Sequence, residues 1–373
     1  MQESFNIKSS AGEYFVKVEW SILKKIAEEH RGNLFIIDKN LKNYIPQSLE
    51  KIIYVDANEE SKSLDKIPNY IKEMKKYNLN RKSHIFGIGG GIIQDISTFS
   101  CSIYMRGIRW SYFPTTVLGM VDSCIGGKSA INLEGHKNLI GNFFPPENIF
   151  IDLEFIKTLP ADHIVGGIFE AAKICYAKGH DEFLEFINIM NDSPLLDYSQ
   201  INKTTDFKSM ILLSLKSKKW FIEIDEFDQK ERLLLNFGHT FGHAFESATE
   251  YKVSHGISVG FGMAVAIELA NQLKLLNESG KNFSNKMTSF IDNSFYIIKD
   301  LHSIKIKDFE YQGYLEAFKN DKKHYDNKYR VILPTKNGAL ELIEIDKSFE
   351  IEELIKNISE KFINKYNFIE QKV

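Results

Sequence analysis

The chain has 373 residues, of which 43% are hydrophobic and 26% charged, and its formal net charge is −3. That length suits two ordinary domains, and the composition is that of a folded globular protein. So small a net charge provides no global basic field, which excludes nucleic acid and membrane surfaces as expected partners and leaves anion binding to local clusters.

Strand and helix signals alternate through the first part of the chain. A helix is predicted around 21–29, short apolar strands at 34–38 and 51–55, and a helix around 64–77. A strand at 84–88 then runs into GIGGGIIQD, and strands at 109–113 and 148–152 follow. Such alternation makes an α/β layer. Beyond Asp152, amphipathic helical stretches dominate, at 161–177, 206–222, 232–249 and 256–275. Strand character returns only at 329–333 and 339–345, and a charged amphipathic helix from Phe349 serves packing. The predicted organisation is an α/β domain over 1–152 and a mainly helical domain over 153–373. Cys101, Cys124 and Cys175 match no zinc or redox spacing and indicate a reducing compartment. The start MQESFNIKSS has no apolar signal core, and no stretch reaches the roughly 20 apolar residues that span a bilayer. A cytoplasmic protein is expected.

Three groups of residues carry chemistry. Gly87, Gly89, Gly90 and Gly91 lie between a strand and a helix, where bare backbone and a helix N-terminus suit a phosphate. The pattern GxGGG departs from GxGxxG and follows two earlier strands, so a tight turn explains it equally well. Asp95, in the first turns of the helix, either meets ribose hydroxyls or is solvated. A second group runs RGIRWSYFPTTVLGMVDSCIGGKSAINLEGHKNLIG, in which Arg106, Lys128, Lys137 and Asn138 are donors set among glycines and apolar residues. Singly each reads as a surface charge; together they suit a phosphate or carboxylate. The third is NFGHTFGHAFE, where His239 and His243 share a helix face, followed by His255 in SHG. Catalytic zinc sites use three protein ligands and an open position. Glu170, in the apolar helix GGIFEAAKI with Lys173 one turn on, is a costly place for an unpaired charge. Spacing alone leaves open whether His243 is a ligand or a neighbour.

Taken together, GGGIIQD, YMRGI, PTT, VDSCIGGKSAIN, HKNLIG, FEAAK, LLLNFGHTFGHAFE and HG resemble the 3-dehydroquinate synthase family of sugar phosphate cyclases, from about Glu59 to Gly262. The resemblance implies an α/β NAD-binding domain, a mainly helical domain holding one divalent metal (zinc or cobalt), an active site between them, and a homodimer. It implies Glu170, His239 and His255 as metal ligands, with His243 beside them at the substrate phosphate. Arg106, reaching across a dimer, Lys128 and Asn138 match the other phosphate residues. Asp122, Lys173, Lys218 and Asn236 match residues that meet substrate hydroxyls and metal. Arg232 matches the carboxylate binder, and Lys322 or Lys323 a lysine that closes over the substrate. The implied NAD set is Asp38, Glu59, Lys62, Gly90, Gly91, Asp95, Thr115 and Thr116, together with Lys128 and Lys137.

The implied activity is conversion of a phosphorylated sugar acid, a heptulosonate 7-phosphate, to 3-dehydroquinate and phosphate. The alternatives are cyclisation of another sugar phosphate such as sedoheptulose 7-phosphate, a metal-dependent polyol dehydrogenase, and a binder without turnover. The chain departs from the family's pattern at Gln94, where the family has glycine, at His136, at Ile257, where it has an acid, and in FFPP at 143–146. Gln94 is expected to turn its side chain away and leave NAD binding unaffected.

Overall fold

The computed structural model describes residues 3–191, 206–307 and 309–369. They group into two compact units, Met1–Leu159 with Phe207–Glu226, and Pro160–Asp206 with Phe227–Val373.

Apolar runs of strand length give the first unit its sheet. Its strands are β1 (Ser4–Ser9), β2 (Gly12–Glu19), β3 (Leu34–Asp38), β4 (Lys51–Val55), β5 (His84–Gly89), β6 (Arg109–Pro114) and β9 (Asn148–Asp152), in the order β1-β2-β9-β6-β5-β3-β4. All pairs are parallel except the β1–β2 hairpin. Leu34 to Ile37 are fully buried, as a strand covered on both faces requires. Helices α1 (Ile22–Glu29), α2 (Ile67–Lys76) and α3 (Gly91–Ile103) connect the parallel strands, and β7 (Ile131–Leu133) pairs with β8 (His136–Ile140) as a separate ribbon. The sequence reading missed β1 and β2, whose polar residues mask a strand that pairs with β9.

The second unit holds α4 (Ala161–Lys178), α5 (His180–Asn191), α7 (His239–Ala248), α8 (His255–Gln272), α9 (Glu278–Ile298), α10 (Tyr311–Lys319), the hairpin of β10 (Lys328–Thr335) and β11 (Ala339–Asp346), and α11 (Phe349–Lys365). The division therefore falls after Leu159 rather than at Asp152. Helix α6 (Asp206–Ile224) also belongs largely to the first unit, because Ser214 Oγ donates to Val121 O at 3.0 Å and Lys218 Nζ to Asp122 O at 2.5 Å. Two further expectations are corrected. The stretch 232–249 is not one helix: a 3-10 turn, Glu231–Asn236, is separated from α7 by Phe237 and Gly238, and Gly238 takes φ 78°. Helix α8 is not amphipathic, since every residue from Gly256 to Ala270 except Glu268 is buried.

Glycines let α8 lie this deep. A Cβ on Gly256 would stand 2.5 Å from Gly166 Cα in α4, and one on Gly242 in α7 would stand 2.7 Å from Ser258 O in α8. A Cβ on Gly238 would stand 2.8 Å from Met263 N. Gly256→Ala must push α4 and α8 apart. We expect a loss of about 2 kcal/mol, in the range of overpacked cores, read as a lower urea midpoint. An unchanged midpoint would mean that the crossing tolerates a methyl group.

Candidate active site

In the first unit the strand order reverses between β3 and β5, because the chain leaves β3 towards β4 on one side and continues through β5 and β6 on the other. The carboxyl ends of strands at such a reversal open a crevice. Asp38 ends β3, and its carboxylate accepts from Asn40 N at 2.9 Å. The glycine turn ends β5. Tyr112 Oη reaches Gly89 O at 2.9 Å and Gly90 O at 3.1 Å, and Thr115 N donates to Gly89 O at 3.0 Å, so the turn is braced from β6. Gly90 lies against the Thr116 methyl, whereas a Cβ on Gly91 would meet nothing within 4 Å. No side chain caps α3. A 13-residue helix thus presents its uncapped first turn beside open space, the arrangement a pyrophosphate needs.

Around this turn, buried Lys62 donates to Asp95 Oδ2 at 2.9 Å and Asn138 Oδ1 at 2.9 Å, with Glu59 at 3.6 Å. Asp95 Oδ1 accepts from Ala130 N at 2.9 Å. Burial raises the Asp95 carboxyl above its ordinary value, against the pull of Lys62. Glu59 also accepts from Asn132 Nδ2 at 2.9 Å. The carboxamide oxygen of Asn138 is thus turned to Lys62, into the NAD set. Lys128, Lys137 and Arg106 are exposed. Met105 and Arg106 both take left-handed backbone, φ 51° and 65°, which turns Arg106 outward. Asp122 pairs with buried Lys218 of α6, which also donates to Ile125 O at 3.3 Å.

The second unit gathers the histidines. His239 starts α7, His243 follows one turn later and His255 starts α8, with ring centroids 5.1, 5.3 and 5.4 Å apart. Their nitrogens lie within 4.8 Å of one another, close enough to hold a metal ion. Glu170 Oε1 from α4 stands 3.4 Å from His255 Nε2 and 4.0 Å from His239 Nε2. The other oxygen, Oε2, pairs with Lys173. Both histidines are oriented through the far side of the ring. His255 Nδ1 meets Glu246 Oε2 at 3.1 Å, and His239 Nδ1 lies 3.4 Å from Phe237 O. Glu170 Oε1 is buried and has no hydrogen-bond partner. A buried carboxylate oxygen without a donor is costly unless a cation faces it, and one carboxylate with two oriented imidazoles is a donor set that fits a divalent metal. Burial opposes a charge on His255, yet Glu170 and Glu246 outweigh it and hold the ring up at about 10. Burial pushes His239 well below its usual value, and desolvation with the neighbouring His255 and Lys323 lowers His243 as well, although its side chain is exposed.

Asn236 and Lys323 line a cavity of about 190 Å³ with Asp228, Thr240 and Arg330. Lys322 is exposed, so of the two lysines it is Lys323 that faces this cavity. Burial pushes the Lys323 ammonium below its ordinary value against the pull of Asp321. Arg232 is buried in the 3-10 turn before Asn236.

Residues 52–166 match the 3-dehydroquinate synthase N-terminal domain, and residues 167–324 match the C-terminal domain. The 3-dehydroquinate synthase of Dictyoglomus thermophilum is 37% identical over 361 residues, covering 92% of this chain and 94% of that one. The chain belongs to the 3-dehydroquinate synthase family. It is an enzyme of the lyase class, of the phosphate-eliminating cyclase type. Among solved structures, 2-deoxy-scyllo-inosose synthase complexed with carbaglucose-6-phosphate, NAD+ and Co2+ has a TM-score of 0.79 at 21% identity, covering 95% of this chain and 99% of that one. ValA, the 2-epi-5-epi-valiolone synthase of Streptomyces hygroscopicus subsp. jinggangensis 5008 with NAD+ and Zn2+ bound, has a TM-score of 0.75 at 21% identity, covering 94% and 97%. Both share the two-part fold.

The departures from the family pattern have separate physical settings. Ile257 is fully buried in α8, a position that belongs to the core. In FFPP, Phe144 N donates to Gly127 O at 2.7 Å, and Pro145 packs so closely on Gly127 (φ 64°) that a Cβ there would stand 2.9 Å from its nitrogen. His136 is exposed at the start of β8, and nothing in the structure explains the change. Gln94 is buried, with its carboxamide on Ser123.

Sequence reasoning passed over Glu246, although it follows His239 and His243 at i+7 and i+3 and so lies on their helix face. Its carboxylate orients a histidine of the cluster. Glu246→Ala is expected to weaken metal retention 10- to 100-fold, read by chelator competition, with the fold intact by circular dichroism. Unchanged retention would show that His255 keeps its orientation without Glu246.

Proposed function

We propose that this enzyme is an NAD- and divalent-metal-dependent sugar phosphate cyclase that converts a 7-phosphorylated heptulosonate to 3-dehydroquinate and phosphate. The observation that carries the reading is Glu170 Oε1, buried without a hydrogen bond and faced by the Nε2 atoms of His239 and His255, in a chain of this family. These three are the ligands. His243 stands beside them and donates to the substrate phosphate.

In the first unit, Gly90 and Gly91 receive the NAD pyrophosphate on the uncapped turn of α3. Asp38, Glu59, Lys62, Asp95, Thr115, Thr116 and Lys137 complete the NAD set. When bound, NAD supplies a hydride acceptor that later returns the hydride, and the metal lowers the pKa of a neighbouring substrate hydroxyl. Asp122 and Lys218 hold each other in place to meet substrate hydroxyls, with Lys173 and Asn236. Lys128 and Asn138 bind phosphate oxygens, and the outward Arg106 serves the phosphate of a second copy in a homodimer. Lys323 closes over the substrate. With both groups bound, oxidation would acidify the neighbouring C–H, the phosphate held by Lys128, Asn138 and His243 would take that proton and leave as its C–O bond breaks, and return of the hydride would leave no net redox change. Ring opening and an intramolecular aldol step complete the product.

The substrate assignment rests on Arg232. A guanidinium meets a carboxylate through two parallel hydrogen bonds, and sedoheptulose 7-phosphate and glucose 6-phosphate carry no carboxylate. Retention of Asn236, His243 and the glycines of Gly126-Gly127-Lys128 supports the same choice.

Two experiments test this reading. His255→Ala is expected to lose the metal, counted by atomic emission, and all turnover, whereas His243→Ala keeps the metal and loses turnover. Full occupancy in the first variant or an empty site in the second overturns the ligand set. Phosphate release is then compared for the heptulosonate phosphate, sedoheptulose 7-phosphate and glucose 6-phosphate. The heptulosonate should turn over best without accumulating NADH, and Arg232→Ala should lower its kcat/KM about 100-fold, as expected for a charged hydrogen-bonding partner lost from a buried site. Best turnover of sedoheptulose 7-phosphate, or an indifferent Arg232→Ala, defeats the carboxylate argument. Accumulating NADH would instead identify a dehydrogenase.

A further inference from the structure

Gln94 occupies the place where the family pattern has glycine, and its side chain is 5% exposed. Its Nε2 donates to Ser123 O at 2.7 Å, and its Oε1 accepts from Ser123 Oγ at 2.7 Å. The next residue, Asp95, accepts from Ala130 N at 2.9 Å. Two consecutive residues of α3 thus grip the two ends of the segment 123–130, which contains Gly126, Gly127 and Lys128. The grip at Ser123 adjoins Asp122, in the π-helical turn Gly119–Ser123 that Lys218 holds from α6. The backbone N of Gln94 meanwhile donates to Gly90 O at 3.0 Å, so the same residue is tied to the glycine turn.

We propose that Gln94 is a positioning residue: its two-way clasp on Ser123 sets Asp122 and the Gly126-Gly127-Lys128 loop relative to the glycine turn. The inference rests on the proposed function for its catalytic consequence, but the clasp itself is a property of the fold. A glycine at this position reaches neither Ser123 group, and the geometry of the loop would then depend on Asp95 and on contacts further along. Gln94 touches Ser123 rather than the residues assigned to substrate, and so acts through the loop.

Gln94→Met keeps the length and burial of the side chain and removes both hydrogen bonds. Ser123→Ala removes one and leaves the carbonyl acceptor. Hydrogen exchange across 119–130 reads the clasp without any substrate, while phosphate release and NAD titration read its consequence. Loss of two buried hydrogen bonds should speed exchange in this segment about 10-fold and lower kcat/KM for the sugar phosphate about 10-fold, with NAD affinity within about twofold of wild type. Ser123→Ala should lose less, and the double variant no more than Gln94→Met alone. Unchanged exchange in Gln94→Met overturns the proposal. So does an NAD affinity that falls in step with turnover, which would make Gln94 part of the cofactor turn, and so does full additivity of the two variants. If the wild-type enzyme releases phosphate from none of the three sugar phosphates, the proposed function fails, and the exchange measurement still decides the clasp.

Discussion

The contact on which the candidate metal site depends is the backbone approach of α8 to α4 and α7. Gly256 lies on Gly166, Ser258 O on Gly242, and Gly238 against Val259 and Met263. Each approach is too close for a Cβ. Because α8 lies this deep, its first residue, His255, meets Glu170, one turn beyond Gly166 in α4. The same closeness brings His239, at the first position of α7, to the same carboxylate oxygen. Glu170, His239 and His255 meet because three helices can touch without side chains intervening. The left-handed Gly238 belongs to the same design, since it breaks the preceding 3-10 turn and lets α7 begin at His239.

Charge is managed differently in the two units. In the first, buried Lys62 and Lys218 each pair with a carboxylate, Lys62 with Asp95 and Lys218 with Asp122. These pairs hold the loops that surround the glycine turn, at the desolvation cost that buried pairs carry. In the second, Glu170 has Lys173 on one oxygen, while the other makes no hydrogen bond and faces the Nε2 atoms of His255 and His239 at 3.4 and 4.0 Å. That asymmetry distinguishes a carboxylate organised to receive a cation from one used to tie elements together. Glu246 extends it by fixing the His255 ring from behind.

Much of the local structure was legible in the sequence because its signals are local. The buried strands at 34–38, 51–55 and 148–152 are short apolar runs bounded by polar residues, and their limits agree with the structure. The glycine turn, the histidine pair at i and i+4, and Glu170 in an apolar helix could all be read from type and spacing. So could the family, because its motifs come in order over most of the chain. The hairpin β1–β2 could not be read that way, since its pairing with β9 links residues more than a hundred positions apart in sequence.

The sequence by itself determined the candidate site residues and those strands and helices whose apolar runs are strong, since these follow from side-chain type and short-range period. Only tertiary structure decided where the segments go. Helix α6 reads like its helical neighbours but joins the sheet unit, because Lys218 and Ser214 reach carbonyls of the Val121–Ile125 turn. Of two adjacent lysines, Lys323 enters a cavity and Lys322 faces solvent. Asn138 turns its oxygen to Lys62, and Gln94 closes on Ser123. Each outcome depends on a partner distant in sequence, and spacing along one chain carries no information about which distant backbone group will come within hydrogen-bond reach.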